Sequence, residues 1–133
     1  MKELNIGGQV VRIRANPLAS IYYKQEFKRT ILSDFMTFAK GLVNLEQLNT
    51  GIDIENIQNI DLSGLDDVVL LQMVWAMNKA DSAFTSAPTP SYESWVASLE
   101  SFDITDAEML QDIMTEIKNG FFRGGGAKFA PKR

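Results

Sequence analysis

Residues 65–81, LDDVVLLQMVWAMNKAD, decide the fold. Val69, Met73, Ala76, Ala80 and Phe84 recur at steps of three or four along one side of a helix, and Val68, Leu71 and Trp75 cover another. A helix this apolar around its circumference cannot be covered by one neighbour, so it is expected to lie inside the fold with other helices about it. Ser63-Gly64-Leu65-Asp66 has the form of a capping box, with aspartate in place of glutamate, and sets its expected start. Pro88 and Pro90 end it near residues 84–87.

Working outward, residues 2–14 read as a β-hairpin around Gly7-Gly8, a pair able to adopt the positive φ values of a two-residue turn. Pairing Ile6 with Gln9 sets Leu4 opposite Val11 and Lys2 opposite Ile13 on one face, with Glu3 opposite Arg12 on the other. A lone hairpin is marginal, so this one must pack on the helical body or add to another sheet. Asn16-Pro17 then starts a helix, the asparagine as cap and the proline at the first position. Leu18, Ile21 and Tyr22 mark its inward stripe, and Ile31, Phe35, Phe38, Ala39, Leu42 and Leu45 extend the pattern. One long helix, or two nearly continuous ones kinked near residues 29–34, is expected over residues 17–48.

Residues 49–64 are rich in Asn, Asp and Gly yet keep Ile52, Ile54, Ile57, Ile60 and Leu62, so they are expected to dock. Thr89-Pro90 opens a further helix that turns Tyr92, Trp95, Val96 and Leu99 inward. A capping box, Thr105-Asp106-Ala107-Glu108, starts a last one, with Leu110, Ile113, Met114 and Ile117 inward, Asp106, Glu108, Asp112 and Glu116 outward, and Gly120 as the stop. The expected fold is mainly α: a single domain over residues 1–120, with the hairpin in 1–14 and helices in 16–120, followed by a disordered basic tail, 121–133. Trp75 and Trp95 are its structural anchors.

The chemistry of the chain is bounded by what it lacks. Its 133 residues contain neither cysteine nor histidine, which removes thiol nucleophiles, disulfides, the usual zinc ligand sets and histidine-based catalysis. A net charge of −4 argues against a nucleic-acid surface. RGGGAK, residues 123–128, has the wrong spacing for a phosphate loop. Asp103, Asp106, Glu108 and Asp112 crowd one helix start, where capping and the helix dipole already account for acids. No cofactor, metal or catalytic residue is expected, and no segment reads as a signal peptide or membrane span. Met36, Met73, Met77, Met109 and Met114 are core-forming by spacing, and methionine also suits an adaptable partner groove. An interaction protein fits this pattern better than an enzyme.

The hairpin, the aromatic segment Tyr22-Tyr23-Lys24-Gln25-Glu26-Phe27, Trp75-Ala76 followed by Ala80-Asp81, the proline-containing break, and Tyr92-Glu93-Ser94-Trp95 together resemble the tail assembly chaperones of long-tailed phages and prophages of Gram-positive bacteria. The resemblance runs from Lys2 to about Phe121. It implies a morphogenesis factor that coats the tape measure protein in the bacterial host cytoplasm and is absent from the mature virion. It also implies contact with tail tube protein through a frameshift-extended form; Gly124-Gly125-Gly126 require GGN codons, compatible with a G-rich slippery stretch. Tyr22, Tyr23, Phe27, Met36, Met77, Met109 and Met114 are the expected partner-binding residues, with homo-oligomers as a further expectation and no membrane partner. A structural head–tail or tail completion protein of the virion is the alternative reading, and a small helical DNA-binding regulator a third.

Overall fold

The computed structural model describes residues 1–49, 66–85, 88–103 and 106–122. It is mainly helical with an N-terminal hairpin: β1 (Lys2–Ile6), β2 (Gln9–Ile13), α1 (Pro17–Phe27), α2 (Ile31–Asn49), α3 (Asp67–Ser82), α4 (Tyr92–Ser98) and α5 (Ala107–Ile117). The expected docking of residues 50–64 and the tail over 123–133 lie outside the described residues.

The hairpin has the register set by its sequence, with Ile6 opposite Gln9, Leu4 opposite Val11, Lys2 opposite Ile13 and Glu3 opposite Arg12. Gly7 and Gly8 turn with φ of 57° and 86°. Leu4, Ile6, Val11 and Ile13 are buried. β2 lies against α3 and β1 against α5. Two bonds fix the first contact: the Arg14 N–H donates to the Met77 carbonyl at 3.0 Å, and the Asn78 amide donates to the Arg12 carbonyl at 2.8 Å. The marginal two-stranded sheet therefore completes its hydrogen bonding on the central helix.

α3 is the core element, touching α1, α2, α4 and β2. Leu70, Met73, Val74, Trp75, Ala76, Met77 and Ala80 are all buried. Its ends differ from expectation. Asp66 is itself the N-cap, accepting from the Val68 N–H at 2.9 Å; Ser63, the expected start of the box, lies outside the described residues. The helix stops at Ser82, and Phe84 is exposed beneath the Arg14 guanidinium, 4.4 Å from the ring centroid, instead of continuing the inward stripe.

α1 begins as the Asn16-Pro17 pair dictates, with the Asn16 side chain accepting from the Ala19 N–H. Its inward stripe is rotated by one residue. Ala19 and Tyr23 are the buried positions, Leu18 and Tyr22 are half-buried, and Ile21 faces water. A small residue at Ala19 lets the helix approach the core, which places Tyr23 one turn on at its centre. The chain breaks between α1 and α2 at Lys28, which has φ 62°, and Thr30. Ile31, Phe35 and Phe38 then face inward as their spacing requires.

The two later helices also start at residues other than those expected. Ser91, not Thr89, caps α4, and the Pro90 carbonyl instead accepts from the Trp75 indole at 3.1 Å. Asp106 caps α5 by accepting from the Met109 N–H at 3.1 Å. Leu110, Ile113 and Ile117 are buried, but so is Glu116, which sequence reading placed outside. Its carboxylate accepts from the buried Ala15 N–H at 2.9 Å and lies 3.4 Å from the Met1 amino group. Gly120 is not a stop. The chain continues through a wider, π-type turn over Lys118–Phe122, so Phe121 and Phe122 belong to the helical body. Glycine is required there because a Cβ would overlap the Ala15 carbonyl.

Candidate partner-binding surface

Four of the aromatic residues that carry the family resemblance, Tyr23, Phe27, Trp75 and Tyr92, converge. The Phe27 ring meets Tyr23 at 5.0 Å, Trp75 at 5.7 Å and Tyr92 at 5.0 Å between centroids, the last two edge to face. Trp75 and Tyr92 close the group at 5.9 Å. The Lys79 ammonium lies 4.7 Å from the Tyr22 ring centroid and 5.2 Å from that of Trp75, shielding the outer side. Burial, followed by the charges of Asp66 and Asp67, raises the Tyr92 phenol above its ordinary pKa. Trp75 and Trp95 are both buried anchors. These ring contacts link α1, α3 and α4.

A polar network adjoins this cluster. The Tyr23 hydroxyl donates to Asp34 Oδ2 at 2.5 Å, and Arg29 Nε donates to the same oxygen at 2.8 Å. Arg29 also donates from Nη2 to the Gln72 side chain at 2.5 Å. Burial first, and then the bond to Asp34, hold the Tyr23 pKa well above the usual phenol range. The bond to Asp34 likewise raises Arg29. These groups satisfy one another, so the network is a clamp on the α1–α2 joint.

The seven residues expected to meet a partner divide sharply. Tyr23 and Met77 are fully buried and Met109 nearly so; they are packing residues, out of a partner's reach in this fold. Tyr22, Phe27 and Met114 are half-buried against the core. Met36 alone is open, at 60 % exposure. Spacing could not make this division, because methionine at helical intervals fits a core and a groove equally well.

Leu32 was missing from the expected set. It lies one turn before Met36 on α2 and is 41 % exposed. With Ser20, Lys24, Thr30 and Ile31 it lines a shallow groove of about 330 Å³ beside the α1–α2 joint. On the inner side of α2, Phe35 packs on Phe122 at 5.7 Å. α2 therefore buries one face and offers Leu32 and Met36 on another, an arrangement suited to covering an apolar helix. The signal available in the sequence was that Leu32 falls outside the inward series Ile31, Phe35, Phe38.

A second depression, of about 350 Å³, lies between the hairpin turn and the start of α5 and includes Asn5, Gly7, Asp106, Glu108 and Asp112. Asp106 caps α5 and Asp112 pairs with Lys2 at 3.5 Å, so both have structural work. Among the described residues, no three acidic side chains are gathered to hold a metal ion. No helix among them is long and apolar enough to cross a membrane.

Fold and surface together define a hairpin-capped helical domain with an apolar strip on its second helix. No family model, curated protein or solved structure matches the chain.

Proposed function

We propose that this protein is a phage tail assembly chaperone that coats the tape measure protein and keeps it soluble until the tail tube polymerises around it. The observation that supports the reading is the convergence of several of the residues on which the resemblance rests. Phe27, Trp75 and Tyr92, far apart in sequence, form one aromatic cluster at the meeting of α1, α3 and α4.

The mechanism is hydrophobic shielding. A long helical partner with apolar stripes aggregates unless another surface covers it. Leu32 and Met36 supply such a surface, and the unbranched methionine repacks against successive segments of differing shape. Each contact is weak, and many copies along one partner give avidity. On this reading the protein works in the bacterial host cytoplasm, meets tail tube protein through a frameshift-extended form, and leaves before the virion is complete.

Two observations on the native system test the proposal. A large tape measure gene directly downstream is expected, and mass spectrometry of purified particles should not find the protein. Its presence in particles at a fixed copy number would instead support a structural tail or head–tail component.

A further inference from the structure

Residues 18–40 contain neither glycine nor proline, and the local support for a break between α1 and α2 is the cap at Thr30, whose hydroxyl accepts from the Ser33 N–H at 3.3 Å. The helix is broken, and Lys28 is the one non-glycine among the described residues with a positive φ. The left-handed region is costly for a residue with a Cβ. The joint is closed by tertiary bonds that bridge it, from Tyr23 and Arg29 to Asp34 and from Arg29 to Gln72 on α3. The strain of the joint is therefore concentrated at Lys28 and held by tertiary bonds.

Straightening the joint would have two consequences. Leu32 follows Ile21 by eleven positions and Met36 by fifteen, so in one continuous helix they fall within roughly 20° and 60° of Ile21. These residues are among the exposed large apolar side chains of the bent form, and straightening would gather them into one stripe. The hairpin and α1 would also leave their seat, vacating the Asp81 carboxylate that binds Arg12 and Arg14, the Glu116 acceptor of the Ala15 N–H, and the Asp112 partner of Lys2. A second copy of the chain carries the same hairpin and helix and would restore each contact.

We propose that residues 1–27 exchange as a unit between two copies of this chain, with residues 28–30 as the hinge that straightens to join α1 and α2. The occupant is a second copy because the vacated seat is complementary, contact by contact, to this chain's own first 27 residues. Exchange remakes those contacts, the Tyr23–Asp34 bond among them, so the balance is set at the joint: relief of the Lys28 conformation against loss of the Arg29 bonds to Asp34 and Gln72. The inference does not rest on the chaperone reading, although both draw on Leu32 and Met36.

The test uses the full chain. Equal amounts of ¹⁴N- and ¹⁵N-labelled protein are unfolded together in urea, refolded at high concentration and separated by size. Monomer and dimer fractions are then treated with a carbodiimide, which joins Lys2 to Asp112 where they are paired. Mass spectrometry of the joined peptides should find mixed-isotope Lys2–Asp112 links in the dimer and same-isotope links in the monomer. Lys28→Gly accepts the bend without strain and should lower the dimerisation constant by roughly tenfold or more. Asp34→Ala removes the clamp and should raise it. Same-isotope links alone in the dimer, absence of any dimer, or a dimerisation constant unchanged by Lys28→Gly would each overturn the proposal. Because glycine suits the bend, that variant keeps the test decisive even if Asp34→Ala folds poorly.

Discussion

The Ala15 N–H donates to Glu116 across 2.9 Å in the protein interior, tying the end of the hairpin to the last helix over a separation of 101 residues. The bond explains a charged residue on a buried face. Ala15 lies between β2 and the Asn16 cap, where its N–H has no strand partner, and a carboxylate is a strong acceptor for such a donor. Replacing Glu116 by alanine leaves that donor unsatisfied, and a loss of about 1–3 kcal/mol is expected in urea unfolding. Glu116→Gln keeps an acceptor oxygen and should lose less. Equal losses would show that the bond itself is not what the site requires.

Gly120 should tolerate no side chain. A Cβ would overlap the Ala15 carbonyl, which is backbone and cannot swing aside. Gly120→Ala is expected to destabilise by about 1–3 kcal/mol, as overpacking does, although alanine ordinarily favours a helix. A rise in melting temperature would mean that the two segments do not approach this closely.

Asp81 is 3 % exposed and receives Arg12 at 3.0 Å and Arg14 at 3.1 Å. Both arginines are partly in water, so loss of either alone should cost about 1 kcal/mol. Removing both strands a buried carboxylate, and the double variant should lose about 3–5 kcal/mol, more than the sum of the single losses. A double-mutant cycle in chemical denaturation measures the excess, and simple additivity would show that each arginine acts alone.

Alkaline pH should weaken the fold through Tyr23. Its phenol pKa is raised in the native state, so the folded protein holds the proton more tightly than the unfolded chain, whose tyrosine titrates at about 10. The contribution is whole below that pH and falls as pH rises through and beyond it. Urea midpoints between about pH 8 and 11 should decline in the wild type and decline less in Tyr23→Phe. Tyr92, also raised, supplies part of the remaining slope. Parallel curves for the two proteins would remove Tyr23 from the account.

Most of the fold was legible because it rests on short-range rules. The hairpin register follows from one turn and the alternation of five residues on either side, and both tryptophans sit in the core as their spacing requires. Helix starts were less legible, since Asp66, Ser91 and Asp106 competed with Ser63, Thr89 and Thr105 as caps and local sequence does not rank such neighbours. The buried Glu116 and the glycine at 120 were hidden because each answers to Ala15, about a hundred positions away. The surface was legible only in Met36. Tyr23 and Met77 have side chains that suit a groove, but the packing of α1 on α3 buries them.

On the proposed function, α2 shields an apolar partner through Leu32 and Met36. Both side chains are already exposed, so Leu32→Glu with Met36→Glu should leave stability within about 0.5 kcal/mol per substitution. The direct measurement is the soluble fraction of the tape measure product when it is co-expressed with the wild type or with this double variant. A rise with the wild type and its loss with the variant are expected. A partner that stays insoluble beside the wild type, or is rescued equally by both, would contradict it.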